Sequence, residues 1–165
     1  MSGLADMKKK TIRNFLYFEA ELLDNEGHES WLDLLTEDFL YWMPLEYGQT
    51  DDRLMTSLMH DDKLLLTVRI ERLQGDRTFS QKPRSRCHHL LQRPQILSRS
   101  KEGITTRTAF HYIETRIDDQ MLMAGWAEHQ LVAAPKGAAQ PLMIRRKTVR
   151  LMNPDAEFPN IQLIL

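Results

Sequence analysis

Two long stretches, residues 104–117 and 120–134, are separated by little more than Asp118-Asp119, and this pairing constrains the 165-residue chain more than any other feature. Both are rich in β-branched, aromatic or alternating residues, the pattern of strands with one buried face. So short a connection joins antiparallel neighbours, because parallel strands need a crossover of a dozen residues or more. A third such stretch, residues 88–98, precedes them across the turn Ser100-Lys101-Glu102-Gly103. A last strand fits residues 142–152, after the longer turn Pro135-Lys136-Gly137-Ala138-Ala139.

The first 85 residues have a different texture. Ile12, Phe15, Leu16, Leu22 and Leu23 recur at helical spacing, and Asn25-Glu26-Gly27 offers a stop with Gly27 as a left-handed cap. A short second helix is expected over residues 29–35, burying Trp31, Leu34 and Leu35. Phe39-Leu40-Tyr41-Trp42-Met43 reads as a strand limited by Pro44, and residues 47–53 as a loop. A third helix fits residues 61–73, capped by Asp61 or Asp62, with Leu66, Ile70 and Leu73 as its stripe and Gly75 at its end. Helices first and consecutive antiparallel strands after them is the α+β order. The length is that of one domain, and no linker, repeat or low-complexity segment divides residues 1–165.

A formal net charge of −1 argues against a nucleic-acid binder, whose affinity comes chiefly from phosphate contacts. Cys87 is the single cysteine, so no internal disulfide forms, which fits a reducing compartment. The basic start is followed by Arg13, Glu19, Glu21 and Asp24 where an export signal needs an apolar run. No window approaches the 18 or so apolar residues of a membrane span. The expectation is a soluble cytoplasmic protein with no membrane or nucleic-acid partner.

The histidines His28, His60, His88, His89, His111 and His129 form no His-x-x-x-His pair, and no Cys-x-x-Cys occurs. A Rieske cluster needs two Cys and two His, which one cysteine rules out within this chain. Cys87 and His89 would share a strand face, a nucleophile–base spacing that equally fits a small buried residue beside a polar one. No phosphate-binding glycine loop, dinucleotide fingerprint or Gly-x-Ser-x-Gly elbow is present. Glu19 falls within the apolar stripe of the first helix, and a buried carboxylate must be paired or protonated. It reads either as a general acid–base group or, preferably, as half of a buried ion pair, with Arg69, Arg146 and Arg150 as candidate partners. The tracts Lys82, Arg84, Arg86 and Arg145-Arg146-Lys147 fit either a solvated face or a docking surface. The apolar end, residues 161–165, fits an interface or the protein's own sheet equally well.

Several blocks resemble one family. Phe15-Leu16-Tyr17-Phe18-Glu19-Ala20-Glu21-Leu22-Leu23-Asp24, Trp31-Leu32-Asp33-Leu34-Leu35 and Tyr41-Trp42-Met43-Pro44 are similar to the opening of aromatic-ring-hydroxylating dioxygenase β subunits. Asp61-Asp62-Lys63, Arg69-Ile70-Glu71-Arg72-Leu73 and Pro83-Arg84-Ser85-Arg86-Cys87-His88-His89-Leu90 resemble its middle blocks. Arg146-Lys147-Thr148-Val149-Arg150-Leu151-Met152-Asn153 resembles its closing strand. The order and spacing hold over nearly the whole chain. His88 stands where the family usually has Arg, and Arg93 where Asn is common.

The resemblance implies a cone, a curved antiparallel sheet packed on N-terminal helices, as in scytalone dehydratase and ketosteroid isomerase. It implies no cofactor in this chain, and a large α subunit carrying the Rieske cluster and the mononuclear iron. It further implies trimeric self-association, with three large and three small subunits, and NADH-driven cis-dihydroxylation of an aromatic ring. Trp42-Met43-Pro44 looks nearest to the benzoate and anthranilate enzymes. Catalytic and metal residues are therefore expected to be absent here, with Arg84, Arg86, His89, Arg145, Arg146 and Lys147 as candidate interface residues. The competing reading is a free-standing dehydratase or isomerase of the same fold, or a ligand-binding module, with Asp38, Tyr41, His89 and His111 in its pocket.

Overall fold

The computed structural model describes residues 3–75, 82–158, 161 and 163–165. The elements run α1 (Lys9–Asp24), α2 (His28–Leu32), β1 (Leu35–Pro44), β2 (Ser57–Asp62), α3 (Lys63–Gln74), β3 (Arg86–Leu91), β4 (Gln95–Arg99), β5 (Ile104–Arg116), β6 (Asp119–Ala133) and β7 (Leu142–Leu151). All helices lie in the first half and the consecutive strands β3 to β7 follow them, as the α+β reading expects, although β1 and β2 come before α3.

The sheet order is β2-β1-β7-β6-β5-β3, with β4 also on β5. The β5–β6 hairpin is its spine, paired from Arg116↔Asp119 to Ile104↔Leu131. The turn falls one residue earlier than expected, at Ile117-Asp118, and Ile117 takes a φ of 53° to make it. The stretch expected as one strand over residues 88–98 is two. Pro94 has no N–H for a ladder. The chain therefore breaks around it, and β3 and β4 pair with the far and near halves of β5. One pairing departs from the antiparallel expectation: β1 lies parallel to β7. β2 was not foreseen, because Ser57–Asp62 lacks an aliphatic run.

α1 buries Ile12, Phe15, Leu16, Glu19, Ala20 and Leu23 against the sheet. It ends as expected at Asn25, but the left-handed residue is Glu26, with φ 57°, rather than Gly27. α2 is shorter than expected, because Leu35 already starts β1. Asp62 caps α3 by accepting from the Leu65 N–H at 2.8 Å. The core holds Trp31, Phe39, Tyr41, Leu66, Ile70, Ile104, Tyr112, Leu131, Ile144 and Val149 between helices and sheet. Leu163, Ile164 and Leu165 pack into that core rather than adding a strand, and the Tyr41 hydroxyl donates to the Leu165 carbonyl at 3.0 Å. Residues 159, 160 and 162 of the tail lie outside the described residues.

Candidate functional site

The most polar place in the interior is built around Glu19. The helical period of α1 puts its carboxylate among Leu16, Ala20 and Leu23, facing the sheet. Its side chain is 3% exposed, as nearly closed off as the Lys147 side chain at 4%. Lys147 Nζ donates to Oε1 at 2.9 Å, and Trp31 Nε1 donates to the same oxygen at 3.1 Å. His129 Nε2 lies 2.7 Å from Oε2. Burial on its own would raise the Glu19 carboxyl, but His129 and Lys147, by charge and hydrogen bond, together hold it far below the usual carboxylate range. It is a fixed anion, so it cannot deliver a proton near neutral pH.

None of Arg69, Arg146 and Arg150 reaches Glu19. Arg69 donates to Asp61 from Nε at 3.0 Å and Nη2 at 2.7 Å. Arg146 sits 5.2 Å from the Trp42 ring centroid with Asp52 Oδ2 at 3.5 Å. Arg150 covers the same ring at 5.1 Å, donates to the Gln49 carbonyl at 2.6 Å and meets Glu128 at 3.3 Å. The cause is a bulge. Gln130 pairs with Arg146, but Leu131 pairs with Ile144, so Arg145 is an extra residue in β7. Strict alternation from the buried Ile144 would point Arg146, Thr148 and Arg150 inward. One inserted residue reverses the phase and sends Lys147, Val149 and Leu151 inside.

The same reversal turns Lys147 inward, and His89 on β3 is buried as well, so these two interface candidates lie in the chain's own interior. Arg84 and Arg145 are about half exposed, with surface partners Glu26 at 3.1 Å and Asp38 at 3.4 Å. Arg86 is exposed and Arg146 partly so.

His89 belongs to a second, partly buried pair. Asp24, at the end of α1, accepts the His89 backbone N–H at 3.0 Å and lies 2.6 Å from its Nδ1. Cys87 is half-buried beside this pair, with its thiol against the Leu23 carbonyl at 3.7 Å. Burial first, and the Asp24 charge second, push the thiol up to about 12, which leaves no thiolate for nucleophilic work near neutral pH. Burial also raises the Tyr41 hydroxyl, which serves as a donor to Leu165. Asp38, Tyr41, His89 and His111 are not gathered into one pocket. Asp38 is exposed, Tyr41 and His89 have separate buried partners, and His111 lies on the outer face of β5. Among the described residues, no three His, Cys, Asp or Glu side chains stand together as metal ligands.

Outside the cone, a cleft of about 870 Å³ runs between the start of α1 and β4. Lys9, Arg13, Arg93 and Arg99 line it, with no carboxylate among its wall residues. Sequence reading missed it, because the cations come from two widely separated segments and converge only when β4 folds back past α1.

The model of the family described as "Ring hydroxylating beta subunit" matches residues 18–155. The chain belongs to this family. The small oxygenase component of the p-cumate 2,3-dioxygenase system of Pseudomonas putida is 30% identical over 131 residues, covering 77% of this chain and 72% of that protein. The beta subunit of benzoate 1,2-dioxygenase from Burkholderia mallei superposes with a TM-score of 0.72 at 25% identity, covering 93% of this chain and 95% of that one. A protein assigned as a scytalone dehydratase from Novosphingobium aromaticivorans shares the fold, with a TM-score of 0.60 at 14% identity over 87% of this chain and 83% of that one. As a ring-hydroxylating beta subunit with the cone fold, the chain is a component of an oxygenase complex and pairs with a large oxygenase subunit.

Proposed function

We propose that this chain is a non-catalytic, one-domain structural subunit over residues 1–165. It supports a large subunit that carries the Rieske cluster and the mononuclear iron and takes electrons from NADH through a reductase. The observation that carries this reading is the state of the cone's interior. The Glu19 and Asp24 carboxylates are already committed to buried partners, and Leu163, Ile164 and Leu165 pack into the core. A group held in a structural pair is a poor general acid or base. The proposed compartment is the cytoplasm, and the proposed substrate of the complex is an aromatic carboxylate of the benzoate kind. The structural likeness to a benzoate dioxygenase beta subunit supports that substrate.

In the proposed assembly, three small and three large subunits associate, and the small ones dock through exposed cations. Arg84, Arg86, Arg145 and Arg146 are the candidates from the basic tracts, and the cleft with Lys9, Arg13, Arg93 and Arg99 adds a surface that suits acidic segments of a neighbour. Arg84→Glu combined with Arg145→Glu should leave the fold intact and weaken the complex. Light scattering of the co-expressed subunits measures this. An unchanged complex mass at every dilution would remove those arginines from the interface.

A further inference from the structure

The interior that Glu19 shares with the sheet is not completely filled. A cavity of about 20 Å³ lies among Leu16, Ala20, His89, Thr108, His129 and Leu165. On its walls, His89 Nε2, His129 Nδ1 and Thr108 Oγ1 are buried and make no hydrogen bond within the chain. These residues are only 9%, 3% and 2% exposed, so bulk solvent does not serve them. Each ring is held through its other nitrogen, His89 Nδ1 at 2.6 Å from Asp24 and His129 Nε2 at 2.7 Å from Glu19. Neither can turn its free nitrogen toward another partner without breaking a charge-assisted bond.

Buried polar atoms without partners are rare, and several around one cavity point to something bound there. A buried water needs roughly 10–15 Å³ and two to four polar partners. We propose that this cavity is a binding site for a single water molecule, held by His89 Nε2, His129 Nδ1 and Thr108 Oγ1. The water joins the Asp24–His89 and Glu19–His129 pairs into one network spanning α1, β3, β5 and β6. Water suits the site because it both donates and accepts, and so meets a ring nitrogen in either protonation state. Glu19 and Lys147 also line the cavity but are paired with each other, the remaining walls are apolar, and Leu165 forms one of them. The chemical class the site takes is therefore a small neutral hydroxyl compound, and the native side chains leave room for water alone.

A crystal structure of the chain, or of its complex, at a resolution that shows ordered water tests this. The expected result is one density peak within about 2.6–3.2 Å of at least two of the three atoms. An empty cavity, or histidine and threonine side chains turned to bond one another, would overturn the proposal. In solution, Leu165→Ala should open space beside the water. Phenol, with its hydroxyl on the same atoms, should then bind about tenfold tighter than toluene by calorimetry. Toluene binding as tightly would show that the polar atoms do not face the cavity, and would equally overturn the site. Neither result depends on whether the chain is a dioxygenase subunit.

Discussion

Replacing Lys147 with Met should destabilise the chain by about 3–5 kcal/mol, the range for removing one member of a buried ion pair. Several features place it there. The two side chains are only 4% and 3% exposed, so screening by solvent offers no discount. The Nζ–Oε1 contact of 2.9 Å is a charge-assisted hydrogen bond, and its loss leaves the Glu19 carboxylate with Trp31 and His129 alone. Met fills much of the space of the lysine stem, so the measured loss reports charge more than cavity. Urea unfolding of the purified chain should show a lower midpoint at unchanged slope, and the melting temperature should fall by about 6–20 °C for a domain of this size. Glu19→Gln added to Lys147→Met should cost less than the two single losses summed, because the second change removes the charge that the first stranded. A loss below about 1 kcal/mol, or strict additivity, would refute the buried pair as a stabilising unit.

Other consequences follow from the same interior. The Glu19 carboxyl is held below its ordinary value of 4.5, so its contribution is complete above that pH and drains away as pH falls toward the depressed folded value; acid titration of stability should show this loss in the wild type and a flattened profile in Glu19→Gln. Cys87, with its thiol pushed up to about 12, should resist iodoacetamide near pH 8 in the folded chain and react after unfolding; rapid native alkylation would contradict the raised thiol. In β6, a Cβ at Gly125 would collide with the Arg150 carbonyl of β7, so Gly125→Ala should destabilise by more than about 1 kcal/mol, the opposite of the usual gain on replacing a strand glycine; calorimetric melting checks it.

Much of this was legible in the residues. The β5–β6 hairpin could be read because strict alternation survives along both strands, from Ile104 to Tyr112 and from Met123 to Leu131. Glu19 stood out because a carboxylate in a helical apolar stripe has few places to go, and α1 does bury it. Its partners were not legible. The bulge at Arg145 that brings Lys147 inside leaves no composition signal, and His129 is foreseeable only once β6 is registered against β5 and β7. β2 escaped because its burial comes from pairing with β1 rather than from its own side chains. The buried cavity belongs to long-range packing, drawing walls from α1, four strands and the tail, and no local pattern announces such a meeting.

The central claim is that this subunit supports a catalytic partner and does no ring chemistry itself. Co-expression with its large oxygenase subunit, followed by purification of each alone and of the complex, tests it most directly. NADH-coupled turnover of benzoate with a suitable reductase is the readout. The account predicts no turnover and no bound iron for this chain alone, and turnover by a complex containing both subunits. Dihydroxylation by the isolated chain, or failure of the two subunits to associate at micromolar concentration, would contradict it.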